Sequence, residues 1–144
     1  ALKWSQSGSL AFIQESWKFQ MPSNGDIFPL FLLYFGNENI LSLASLPFTL
    51  LAMLSLYSLA RRLSASQEEA LIAVLGFSTM PVVLYHSFSV MVDIFAAAFF
   101  LSSLCLILKL YQPQFQSNNK RVLLALIAGL AFGLGLGARY IYVP

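Results

Sequence analysis

One aspartate stands about a turn inside the start of a long apolar run, at Asp93 in SVMVDIFAAAFF. A carboxylate at mid-bilayer costs about 2.5 to 3.5 kcal/mol, and less near the interface, so one that persists there is used or paired. It could act as a general base, bind a cation or orient a hydroxyl. The plainer reading is a carboxylate beside a helix N-terminus, favoured by the helix dipole and wetted by headgroup water. His86 precedes it by seven residues, between Tyr85 and Ser87. Its imidazole suits substrate or metal binding, against a plainer role as a hydrogen-bonded rim residue. Asp26 and Glu38 flank the aromatic stretch IFPLFLLYF, and each has a simple capping explanation beside a functional one. Arg139, followed by Tyr140, is a candidate for binding the phosphate of a lipid-linked substrate, or snorkels to headgroup phosphates. These residues form no Ser, His and Asp constellation, zinc-ligand spacing or phosphate-cradling loop, so their chemistry reads as an acidic site in a membrane protein.

The elements that must position these groups follow from composition. A chain of 144 residues that is 58% hydrophobic and 10% charged cannot bury its apolar surface in a water-soluble fold, so lipid is its solvent. A bilayer then requires helices of about 20 apolar residues or a closed barrel. The runs are too long and too little alternating for barrel strands. The sequence predicts an all-α, multi-pass transmembrane bundle of about four spans, over residues 40–60, 70–86, 89–111 and 122–142. Pro47 interrupts the first, and Pro81 should kink or end the second by deleting a backbone hydrogen bond. Ser66 and Glu69 have the spacing of a capping box at a helix start.

Threaded alternately, the four runs place Arg61, Arg62, Lys109, Lys120 and Arg121 on one face. Asp26, Glu38, His86, Asp93 and Arg139 collect on the other. Cytoplasmic loops retain Lys and Arg, so the cations are expected in the cytoplasm and Asp26 and Asp93 outside, in a plasma (inner) membrane protein. The net charge of +2 comes from these anchors and argues no nucleic-acid surface.

Residues 1–39 read differently. Trp4, Phe12, Trp17 and Phe19 are interleaved with Lys3, Gln14, Glu15 and Lys18, a mixture that favours the headgroup zone. Short interfacial helices are expected, one of them capped by Asp26, running through Phe35 and ended by Gly36. At the other end, Ala125, Gly129, Gly133 and Gly137 recur every four residues and predict a flat stripe for close helix packing. A dinucleotide-binding reading of these glycines fails for want of a preceding strand. Cys105, the single cysteine, reads as a small packing residue. The chain opens without Met and stops at Pro144 directly after an apolar run, and it is expected to be a fragment.

The stretch GNENILSLASLPFTLLAMLSLYSLARRL, followed by TMPVVLYHS, the acid of SVMVD and GLAFGLGLGARY, resembles the protein O-mannosyltransferase-like membrane glycosyltransferases of the GT-C class, the family 39 relatives. The resemblance covers nearly the whole chain. It implies transfer of a sugar from a polyprenyl-phosphate donor to an unidentified acceptor on the extracytoplasmic side. It also implies that residues 1–39 end a first outer loop whose leading catalytic acid lies upstream of Ala1, so that the fragment is inactive alone. Asp93 and Asp26 would then support catalysis or hold a divalent metal ion, while Arg139, His86, Glu38 and Tyr140 would bind substrate. The competing readings are a transporter or flippase segment whose Asp93 relays protons or binds a cation, and a non-catalytic membrane scaffold.

Overall fold

The computed structural model describes residues 24–35, 41, 43–89, 92–112 and 118–138. Among the described residues there are six α-helices and no strand: α1 (Asn24–Phe35), α2 (Leu46–Arg62), α3 (Gln67–Ser78), α4 (Pro81–Ser87), α5 (Val92–Leu110) and α6 (Asn118–Leu136). The interior is made of small residues. Ala52, Ala70 and Ala98 are wholly buried, whereas Leu54, Ile72, Leu126 and Leu130 are each about two-thirds exposed. Water would drive the large apolar side chains inward, while lipid leaves them outside and lets small residues bring helix backbones together.

α2 and α5 run parallel. Phe48 meets Phe95 at 4.6 Å between ring centroids, Ser55 Oγ lies 2.8 Å from Ser102 Oγ, and Arg62 reaches Cys105 and Gln112. α6 returns antiparallel to α5, with Phe132 beside Phe100 and Gly135 against Ala96 and Phe99. Because α2 and α5 share a direction, the chain between them must return along the bundle. α3 and α4 provide that return as a broken crossing, bent by 70°.

The physical causes of the breaks are local. Pro47 is accommodated in the first turn of α2, where its missing N–H has no partner to lose. α2 ends in a Schellman arrangement: Ser64 is left-handed at φ 70°, Ala65 N–H donates to Ala60 O and Ser64 N–H to Arg61 O. The capping box at α3 forms in both directions, with Ser66 N–H donating to Glu69 Oε2 at 2.6 Å and Glu69 N–H to Ser66 Oγ at 3.2 Å. α3 stops at Ser78, and Pro81 opens α4; the proline therefore ends one helix and begins another.

By length and composition two described helices, α5 and α6, can cross a membrane alone, or three spans result if α3 and α4 count as one. α2, with 17 residues, runs beside α5. α1, at 12 residues and about 1.5 Å of rise each, is too short to cross.

Two expectations are corrected. α1 begins at Asn24, so Asp26 stands inside its first turn and not at the N-cap position. Nor do the glycines spaced by four form the contact stripe. A Cβ added at Gly129 or Gly133 meets nothing within 4 Å. α6 instead turns Ala128, Ala131 and Gly135 inward, followed by the buried Ala138 of the turn beyond it. Alternating steps of three and four follow the helical period, whereas a strict four-residue step drifts around the surface.

Candidate functional site at the end opposite the cations

Helix directions divide the bundle into two ends. Arg61 and Arg62 close α2, Lys109 lies in the last turn of α5, and Lys120 and Arg121 lie in the first turn of α6. The parallel and antiparallel packing therefore gathers all five cations at one end. Arg61 Nη1 donates to Ala65 O at 2.8 Å, and Arg62 donates to Gln112 Oε1 at 2.8 Å and to Cys105 Sγ at 3.4 Å. The half-buried Cys105 thus also accepts a hydrogen bond. Cations in the first turn of α6 oppose its dipole, so their placement answers to the membrane and not to helix stability.

The opposite end carries His86, in the last turn of α4, and Asp93, in the first turn of α5. A turn at Phe88 and Ser89 separates the two helices and brings the side chains face to face. His86 Nδ1 lies 3.8 Å from Asp93 Oδ2, with the side chains 19% and 30% exposed. That is an ion-pair distance when the imidazole is protonated, and too long for a hydrogen bond. Nδ1 is buried and has no hydrogen-bond partner among the described residues. The edge of Tyr85 stands against the imidazole at 5.6 Å.

Both groups line a cavity of about 340 Å³, walled by Phe77, Val82, Val83, Ile94 and Ala97. A second, almost wholly apolar hollow of about 250 Å³ lies between α5 and α6, lined by Ala96, Ala97, Phe100, Phe132, Gly135 and Leu136. Ala97 borders both, so a polar corner adjoins an apolar trough on the lipid-facing side of α5. The run of Ala96, Ala97 and Ala98 between Phe95 and Phe99 on α5 signals this trough in the sequence only as general apolarity.

The structure thus brings His86 and Asp93 together. α1 belongs to the same end, since Gly25 packs against Val92 and the Phe28 ring meets Phe48 at 5.2 Å. The backbone of Asp26 is therefore near the start of α5. Glu38, Arg139 and Tyr140 lie outside the described residues, as do residues 1–23, part of the segment 1–39 in which interfacial helices are expected. Among the described residues no group of three or more His, Cys, Asp or Glu could hold a metal ion. Sequence reasoning missed the hydroxyls packed beneath the site, Ser45, Thr49 and Ser87, all at least nine-tenths buried. The four-residue step from Ser45 to Thr49 inside an apolar run was their available signal.

A helical bundle with lipid-facing leucines, a basic end and a polar cavity at the other end defines an integral membrane protein. The chain belongs to the dolichyl-phosphate-mannose-protein mannosyltransferase family, whose sequence profile matches residues 27–144. It is thereby a membrane glycosyltransferase-family chain. No curated protein and no solved structure matches it significantly.

Proposed function

We propose that this chain forms part of the reaction centre of an integral-membrane enzyme that moves a sugar from a polyprenyl-phosphate donor to an acceptor on the extracytoplasmic side. The family's description supplies the natural pair, mannose on dolichyl phosphate and a protein acceptor. The observation that carries the reading is the junction at Ala97 of a polar corner, His86 and Asp93, with an apolar trough. A donor with a hydrocarbon chain and a charged head asks for that combination: apolar wall for the chain, ionisable groups for the reacting end.

In the transfer, the bond between the sugar's anomeric carbon and the phosphate oxygen breaks, and the phosphate leaves with the electron pair. The acceptor oxygen bonds to the anomeric carbon and gives its proton to a carboxylate or, through it, to solvent. Asp93 would orient the acceptor hydroxyl and offset positive charge developing at the sugar, with Asp26 in the same supporting role. His86, Glu38, Arg139 and Tyr140 would bind substrate, Arg139 at the departing phosphate. A divalent ion would draw on Asp93 and Asp26. Loss of transfer on chelation and its return with added metal would support that assignment. In this reading the polar end faces outward and the cations face the cytoplasm across the plasma membrane.

The test is Asp93→Asn in the full-length protein in membranes, assayed with a radiolabelled polyprenyl-phosphate sugar. Transfer should fall by about 10² or more, the usual size of a positioned acid or base contribution, with insertion and abundance unchanged. Transfer within a few-fold of the unaltered protein would remove Asp93 from the reaction.

A further inference from the structure

His86 rides on a helix with little to hold it. α4 has seven residues, separated from α3 by the 70° bend and from α5 by the turn at Phe88. Its outer side is exposed at Val82, Leu84 and Tyr85, and only Val83 and Ser87 are buried. Such a strut is fixed by whatever grips its buried side. Two hydroxyls one turn apart are placed to do so, Ser45 at the N-cap of α2 and Thr49 in its first turn. Thr49 Oγ1 lies 3.0 Å from Ser87 Oγ, and Ser45 Oγ donates to the carbonyl of Ser89.

Counting protons gives the direction. Ser87 Oγ donates to Val83 O at 2.7 Å, so toward Thr49 it can only accept. Thr49 has one proton and two acceptors in range, Ser87 Oγ and its own helix carbonyl Ser45 O at 3.1 Å. Given to Ser87, that proton ties α4 to α2; given to Ser45, it leaves the strut without this bond. We propose that Thr49 is a positioning residue whose hydroxyl, donated to Ser87, holds α4 so that His86 faces Asp93 across the cavity. The inference rests on the site reading above, since it gives His86 and Asp93 a shared task.

The same accounting separates this role from a structural one. Removing the Thr49 hydroxyl orphans no buried donor, because Ser87 keeps Val83 O. Thr49→Val, equal in shape, should therefore leave thermal stability nearly unchanged while freeing the strut. His86 is the only histidine in this sequence, so its carbethoxylation, followed by mass spectrometry of the peptide bearing it, reports its freedom without reference to activity.

In the full-length membrane protein, Thr49→Val and Ser87→Ala should each raise the His86 reaction rate several-fold. A displacement of an ångström at a reacting group can cost about 10²-fold, so transfer should fall between roughly tenfold and a hundredfold in kcat/KM. Thr49→Ser, which keeps the hydroxyl, should restore both. Unchanged His86 reactivity in Thr49→Val would place the proton on Ser45 O and overturn the tether. A Thr49→Ser protein behaving like Thr49→Val would assign the effect to the methyl group and overturn it as well. Faster labelling with intact transfer, while Asp93→Asn abolishes transfer, would overturn the positioning role alone. Intact transfer in Asp93→Asn too would overturn the site reading and the role together.

Discussion

Gly25 lies so close to Val92 that a Cβ on the glycine would stand 2.5 Å from Val92 Cγ1 and 2.8 Å from Val92 Cβ. Real side chains do not approach this closely, so the absence of a side chain at Gly25 is what seats α1 on the start of α5. Asp26 follows the glycine and Asp93 follows the valine, so this contact fixes both acid-bearing backbones at one end. Gly25→Ala cannot be absorbed by rotating a distant side-chain tip, because Val92 Cβ itself is in the way. Overpacking of this kind costs about 1 to 3 kcal/mol. The expected outcome is a lowered unfolding midpoint in detergent and faster proteolysis in α1. An unaltered midpoint and cleavage pattern would show that α1 docks otherwise.

The two ends of the bundle should lie on opposite sides of the membrane. In a Cys105→Ala background, cysteines at Ser66, in the turn before α3, and at Phe88, 60% exposed after α4, report one end each. Ser87 is unsuited to this purpose because it is buried. A membrane-impermeant maleimide added to sealed vesicles should label one site and spare the other until the vesicles are opened. Labelling of both from the same side would make α3 and α4 a re-entrant loop and reverse the assignment of α5.

How much of this was legible beforehand depended on whether a feature is local. The capping box at Ser66 and Glu69, the helix break at Pro81 and the lipid setting follow from a few adjacent residues or from bulk composition, and the sequence declares them. Cation sorting was legible because each charge marks the end of an apolar run. The facing of His86 and Asp93 was half legible: their separation was visible, but the turn at Phe88 and Ser89 decides the geometry. The hydroxyl contacts of Thr49 were not, because a Thr in an apolar run can equally bond its own helix carbonyl. The glycine stripe failed for a related reason. Spacing names a face of a helix but not the neighbour it meets, and alanines at the helical period served as well.

That failure gives a contrast to measure within one helix. Gly135 has Ala96 O at 3.3 Å and Phe100 N at 3.5 Å from where a Cβ would stand, whereas Gly129 and Gly133 have open space. Gly129→Ala and Gly133→Ala should be neutral or stabilising by up to about 1 kcal/mol, the helix-propensity difference. Gly135→Leu should destabilise by several kcal/mol through separation of α5 and α6, and should also fill the trough beside Ala97. Equal damage at all three positions would mean that the outward stripe is covered by another segment in the membrane.

Ser55 and Ser102 repeat, deeper in the bundle, the arrangement of Thr49 and Ser87. Ser102 Oγ donates to Ala98 O at 2.7 Å and lies 2.8 Å from Ser55 Oγ, so between the two hydroxyls Ser55 is the donor. The consequence is an asymmetry. Ser55→Ala removes one bond and leaves Ser102 satisfied, a loss of about 0.6 kcal/mol by the average for hydrogen bonds between membrane helices. Ser102→Ala leaves the Ser55 hydroxyl, 6% exposed, without its acceptor, and an orphaned buried donor costs about 1 to 3 kcal/mol. The double variant should be no less stable than Ser102→Ala, because its second change removes the orphan. Unfolding in mixed micelles of all four proteins closes the cycle. Equal losses that add in the double variant would mean that Ser55 turns to a carbonyl of its own helix, and that the bond between α2 and α5 contributes nothing to their register.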